Sequence, residues 1–333
     1  MRWFSPARLA AVGLFLLGAA ALVLWLTPAS GYDIRLVDPA HPVDPVIHVP
    51  GEKPDGPPDP IYFVDVRERQ ASLLERLIPW TRAAGSDLVP APPIPATLER
   101  RLGELDMTDS QKISAVVALK YLGYKVSARS GGVTVLLVQK GAPAADVLRP
   151  GDVIVSAYGR KVASVTELRT ALATKRPGTT VRIGFRRGDK LQEATIKTVP
   201  DPKDQKRAIV GVSASDELTV KLPVPIKFDA GGVGGPSAGL AFALDILQEL
   251  GRNVAHGMKV AATGALALDG TVGPIGGVKQ KTLGAREAGV DVFLVPAGDN
   301  AREARRYAKD LPIVSVQNFQ QALRALATFA PKS

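Results

Sequence analysis

The feature that most limits the fold lies near the N-terminus. LAAVGLFLLGAAALVLWL, Leu9 to Leu26, has no charged side chain, and none occurs between Arg8 and Asp33. As a helix this run spans roughly 27 Å, close to the hydrocarbon thickness of a bilayer. Trp25 sits at its far end, where an indole suits the membrane interface. Arg2 and Arg8 precede the run, and Asp33, Arg35 and Asp38 follow it and nearly cancel. The bias in positive charge therefore puts residues 1–8 in the cytoplasm, makes 9–26 a transmembrane anchor, and puts the rest outside. A cleaved signal peptide is the alternative. The run exceeds the 7–15 apolar residues usual for one, which favours an anchor in the cell membrane.

The remaining chain is long enough for two or three domains. It has no cysteine, so a thiol nucleophile, a cysteine metal site and a disulfide are all excluded. The net charge of +10 comes from scattered basic residues with acids between them, and aromatics are only 5% of the chain. This is a solvated basic surface rather than a nucleic-acid stripe, so no nucleic-acid partner is expected. No GxxxxGK[ST] pattern occurs, so no ATP partner is expected; no cofactor and no metal site is assigned from the sequence.

Residues 27–125 form a membrane-proximal segment broken by two proline-rich stretches, 38–60 and PAPPIPA at 90–96. IYFVDV at 61–66 reads as a strand. Residues 67–80 and 108–122 carry helical spacing. From about 126 the pattern turns to strands: GGVTVLLV, a small-residue loop GAPAA, the turn in LRPGDVI, a helix over VTELRTALA, and a hairpin over TTVRIGFRRGDKLQEATIKTV. In that order these resemble a PDZ domain of the bacterial protease-associated kind, at 126–200. The resemblance implies capture of an extended peptide ligand by strand addition. A spacer with a blocked groove is the alternative, because SARSGG before the first strand is not a usual carboxylate-binding loop.

The densest glycine cluster is GGVGGPSAGLAF, residues 231–242. Pro236 and Ser237 stand where an apolar helix begins, with free N–H groups and a positive dipole end beside them. Such a turn suits an oxyanion or a phosphate equally. A serine hydroxyl also needs a base to take its proton. Of the three histidines, His41 and His48 lie in the proline-rich stretch, and His256 lies in the loop after the serine helix. None makes a convincing partner. The other solution is a lysine made neutral by burial, and Lys279 and Lys281 both lie downstream.

GGPSAG followed by TGALALDGTVGPIGGVKQK resembles the proteolytic domain of the Lon family of serine-lysine peptidases, over 207–328. The resemblance implies an α+β, ribosomal protein S5 domain 2-like fold. It implies Ser237 as nucleophile, Lys281 as base, Thr263 holding the lysine amine, and a backbone loop of Gly235, Pro236 and Ala238 around the oxyanion. Lys279 occupies the family's variable position and is expected at the surface. With the anchor and PDZ domain in front, the whole chain is similar to membrane-anchored PDZ–Lon-like peptidases. Such a protein is expected to be an ATP-independent serine endopeptidase, to cleave unfolded or membrane-associated proteins outside the cytoplasm, and to form a homo-oligomer. Gly234 and Ala265 stand where many relatives carry acids, and VPIKF replaces a histidine-bearing strand, so transfer of their pH behaviour is in doubt. Two alternatives remain: an inactive PDZ/peptidase-like scaffold, and a small-molecule kinase with a similar glycine loop.

Overall fold

The computed structural model describes residues 6–49, 60–92, 94–201, 204–229 and 231–329. Arg2, residues 50–59 of the first proline-rich stretch and Pro93 of the second lie outside the described residues. The helices are α1 (Pro6–Leu26), α2 (Leu73–Leu77), α3 (Ala96–Tyr121), α4 (Val165–Ala173), α5 (Gly239–Glu249), α6 (Val278–Glu287), α7 (Asp299–Tyr307) and α8 (Phe319–Phe329). The fold is mixed helix and strand. The chain divides into two compact units, Met1–Gly123 with Val224–Ser333, and Tyr124–Pro223.

The first unit is built on a five-stranded sheet in the order His41–Pro42, Ile61–Phe63, Val260–Ala262, Val292–Pro296, Ile313–Val316. All pairs are parallel except the first. The two central strands are wholly buried and wholly apolar, as parallel strands with both faces covered must be. Helices α6 and α7 cover one face through Val278, Ala285, Ala301 and Ala304, packed around Phe293 and Val295. Helix α5 lies against the sheet, where Phe242 meets Phe63 with ring centroids 6.0 Å apart. Every residue of α5 is buried, and α3 packs against it. A second sheet in this unit orders Arg67–Ser72, Pro28–Leu36 and Asp87–Pro90.

Helix α1 is long and apolar enough to cross a membrane, and none of that span is buried in the protein. The helical spacing expected over 67–80 holds only in part. RERQAS at 67–72 is a strand antiparallel to Pro28–Leu36, and the helix is confined to Leu73–Leu77. Strand pairing overrides the local spacing there, and Ser72 with Glu75 closes a capping box that starts the helix. Helix α3 extends well upstream of the 108–122 spacing, directly after Pro95 at its N-cap.

The second unit holds a sheet ordered Lys190–Lys197, Thr180–Arg187, Val153–Ala157, Ser127–Val138, Val212–Lys221. Its core packs Leu168 and Leu172 of α4 on Val133, Ile154, Val181 and Ile183. SARSGG belongs to the first strand itself. That strand runs from Ser127, and its partner is Val212–Lys221, with Lys221 opposite Ser127 and Val212 opposite Val138. This pairing carries the second unit to Pro223, beyond the sequence boundary near 207.

Candidate active site

Ser237 lies in a 3-10 turn, Pro236–Ala238, that feeds α5 at Gly239. The regular helix thus begins two residues after the serine. Two features explain the glycines before it. Gly235 has φ +88°, a conformation L side chains rarely adopt. Gly234 meets α3 so closely that a β-carbon would stand 3.2 Å from Gly103 Cα, and the Gly235 N–H donates to Gly103 O at 2.8 Å. The turn is pinned from below as well. Ser110 Oγ donates to Pro236 O at 3.1 Å, and Ser114 Oγ donates to Gly239 O at 2.9 Å.

Thr263 follows the strand Val260–Ala262 and is fully buried. Its hydroxyl donates to Ser237 O at 3.1 Å, and the Gly264 N–H donates to the same carbonyl at 2.8 Å. The strand end therefore fixes the backbone of Ser237, a link that sequence alone does not show. The Asp269-Gly270 turn joins two short antiparallel strands, Ala265–Leu266 and Val272–Gly273, and the chain then enters α6 through Gly277 in the left-handed region. A β-carbon at Gly277 would lie 2.6 Å from Val66 Cγ2.

Both lysines lie inside the first turn and a half of α6. Lys281 is 4% exposed, with its Nζ 2.6 Å from Ser237 Oγ and 3.5 Å from Thr263 Oγ1. The structure thus brings together Ser237, Lys281 and Thr263. Lys279 is turned away. Its ammonium donates to Asp87 Oδ1 at 2.6 Å and sits over the Tyr307 ring. It is not the free surface residue expected, because α6 docks on the strand Asp87–Pro90. Gln280 joins the same aspartate at 2.8 Å. The hydrogen bonds outweigh the upward push of burial on Asp87, and its carboxyl stays below the ordinary range.

Burial drives the Lys281 pKa down from 10.5 to about 8, against a weaker upward pull from Asp65. Asp65 escaped the sequence reading. It follows the strand Ile61–Phe63, which pairs with Val260–Ala262 and so arrives beside the strand that ends at Thr263. Burial and the nearby Asp38 raise its pKa, while His41 and Lys281 oppose them. Its Oδ1 is buried without a hydrogen bond, 3.7 Å from His41 Nε2. Asp38 is held by Arg67 at 2.9 Å.

Around the oxyanion position the Gly235 N–H is spent on Gly103 O and Pro236 has none, which leaves the Ser237 and Ala238 N–H groups, at the start of the turn, as the expected donors. A cleft of about 1010 Å³ opens over Ser237 and Lys281. Arg67–Gln70 line one side, on a strand at the edge of its sheet. Gly232–Gly235 and Pro274–Gly277 line another.

Residues 120–198 match the PDZ domain, and residues 203–328 match the Lon protease C-terminal proteolytic domain. Lon protease 1 of Sorangium cellulosum is 46% identical over 90 residues, 26% of this chain and 11% of that protein. Lon protease 2 of Herpetosiphon aurantiacus is 30% identical over 165 residues, 48% of this chain and 19% of that protein. The chain spans about a tenth to a fifth of the length of these curated relatives. Among solved structures, the PDZ domain of an SdrC-like protein from Listeria monocytogenes is 35% identical. The match covers 25% of this chain and 87% of that one, with a TM-score of 0.24.

Proposed function

The chain carries a PDZ domain followed by a Lon-type proteolytic domain, and we propose that it is a membrane-anchored serine endopeptidase acting through a Ser237–Lys281 dyad. The observation that carries this reading is the 2.6 Å approach of a buried amine, with a pKa near 8, to a serine hydroxyl in an open cleft. Neutral Lys281 accepts the Ser237 proton as Oγ bonds to the scissile carbonyl carbon. The ammonium then returns that proton to the leaving amine, and water repeats the sequence on the acyl-enzyme. The Ser237 N–H donates to the developing oxyanion. Thr263 keeps the serine carbonyl and the lysine amine in register.

The unpaired edge of Arg67–Ser72 beside the nucleophile suits an extended peptide added as a strand, which selects unfolded or flexible substrate. No nucleotide drives the reaction, in keeping with a sequence without a P-loop. Helix α1 anchors the chain, with the N-terminus cytoplasmic and both units outside, as its flanking charges favour. The PDZ domain takes a peptide beside α4, where Val212–Lys221 is the last strand of its sheet. The active assembly is a homo-oligomer.

The test is modification of the full chain in detergent by a serine-reactive phosphonate, followed by peptide mapping. Label on Ser237 that is lost in Lys281→Ala supports the dyad. Label absent from Ser237 while other serines react rejects it.

A further inference from the structure

Among the described residues outside α1, the three most exposed large apolar side chains are Trp80 at 85%, Leu191 at 71% and Leu77 at 63%. Leu191 stands alone on a hairpin of the second unit. Leu77 and Trp80 stand together, at the end of α2 and in the 3-10 turn Pro79–Thr81. Their position relative to α1 gives them a meaning. The Leu73 N–H, at the start of α2, donates to Thr27 O at 2.8 Å, one residue beyond the apolar helix. Thr27 itself still bonds back to Val23 O. Leu77 lies one turn further on, about 6 Å along the helix axis. A bilayer interface is roughly 5–7 Å deep on each side.

The groups around this point match that layer. Trp25 carries the Arg69 guanidinium 6.0 Å above its ring, and Tyr32 carries that of Arg76 at 4.4 Å. Arg69 is neutralised by Glu75. Among the described residues no carboxylate lies within ion-pair distance of Arg76 or Arg82. Arg82 instead donates to Glu75 O at 2.6 Å, which ties the 3-10 turn to α2. Aromatic rings with half-apolar, half-polar character and guanidinium groups without a carboxylate partner are what an anionic headgroup layer takes up.

We infer that α2 and the Pro79–Thr81 turn form a second membrane contact, with Leu77 and Trp80 seated in the outer interface of the bilayer that α1 crosses. The inference rests on the anchor reading above. It sets the reach of the enzyme. The strand Arg67–Ser72 runs from the cleft directly into α2, so the cleft lining begins within about 17 Å of chain from this contact. Two attachments, α1 and α2, hold the catalytic unit against the surface where one would let it swing. The substrates favoured are juxtamembrane segments and tails.

The absence of native cysteine makes the test clean. Single variants of the full chain, Trp80→Cys, Leu77→Cys, Leu16→Cys and Leu191→Cys, are labelled with an environment-sensitive fluorophore. They are reconstituted in phosphatidylcholine–phosphatidylglycerol vesicles containing doxyl quenchers at shallow or deep acyl positions. The inference expects blue-shifted emission at 77 and 80 with most of it lost to the shallow quencher, loss at 16 to the deep quencher, and none at 191. Emission at 77 and 80 matching that at 191, with 16 still quenched, overturns the second contact and leaves the anchor standing. No quenching at 16 removes the anchor and this inference with it.

Discussion

The pH dependence of cleavage follows from the burial of Lys281. As a base it must be neutral, so the rate at low pH tracks its deprotonated fraction. With the pKa at about 8, that fraction is roughly a hundredth at pH 6, a tenth at pH 7 and a half at pH 8. A lysine at its usual 10.5 would be neutral about three times in ten thousand at pH 7, so burial raises the active fraction roughly 300-fold. The account predicts kcat/KM on an unfolded, fluorescently quenched protein that climbs about tenfold per pH unit up to 7.5 and levels above 8.5. The negative charge of Asp65 favours the ammonium, so Asp65→Asn moves the whole limb to lower pH. A profile flat from pH 6 to 9, a limb still rising at pH 10, or a limb that moves up in Asp65→Asn would each refute this reasoning.

Gly284→Ala places a β-carbon 1.9 Å from Asp38 O. Helix α6 must shift, at a cost of about 1–3 kcal/mol read by chemical denaturation, and cleavage falls with it because Lys281 rides on the same helix. Thr263→Val removes the donor to Ser237 O and lowers kcat by about 3- to 10-fold, with Thr263→Ser restoring most of it and KM little changed. Lys279→Ala breaks the pair with half-exposed Asp87, costs less than about 1 kcal/mol, and leaves the pH limb in place.

Ser237 and Lys281, the proposed nucleophile and base, could be paired from the sequence only through the resemblance carried by the glycine-punctuated motifs around them, since spacing alone did not single out Lys281. Their supports were not legible. Ser110 lies 126 residues from the carbonyl it binds. Asp65 reaches Lys281 only because Ile61–Phe63 pairs with a strand some 200 residues later, a parallel match with no local signal. The match to the proteolytic domain begins at residue 203, yet the strand Val212–Lys221 hydrogen-bonds to Ser127–Val138, and alternation along a strand does not say which sheet it joins. Lys279 and Lys281 show the same limit at close range. They are two residues apart on one helix, nearly opposite in direction, and only packing tells the buried one from the paired one.

The central claim is tested most directly by cleavage of an unfolded protein, without nucleotide, by the full chain reconstituted in vesicles beside Ser237→Ala and Lys281→Ala. The account predicts turnover by the native chain and by Lys279→Ala, and its loss in both dyad variants with folding intact. Turnover by Ser237→Ala equal to that of the native chain would contradict it, as would a native chain that cleaves nothing while its serine stays unlabelled.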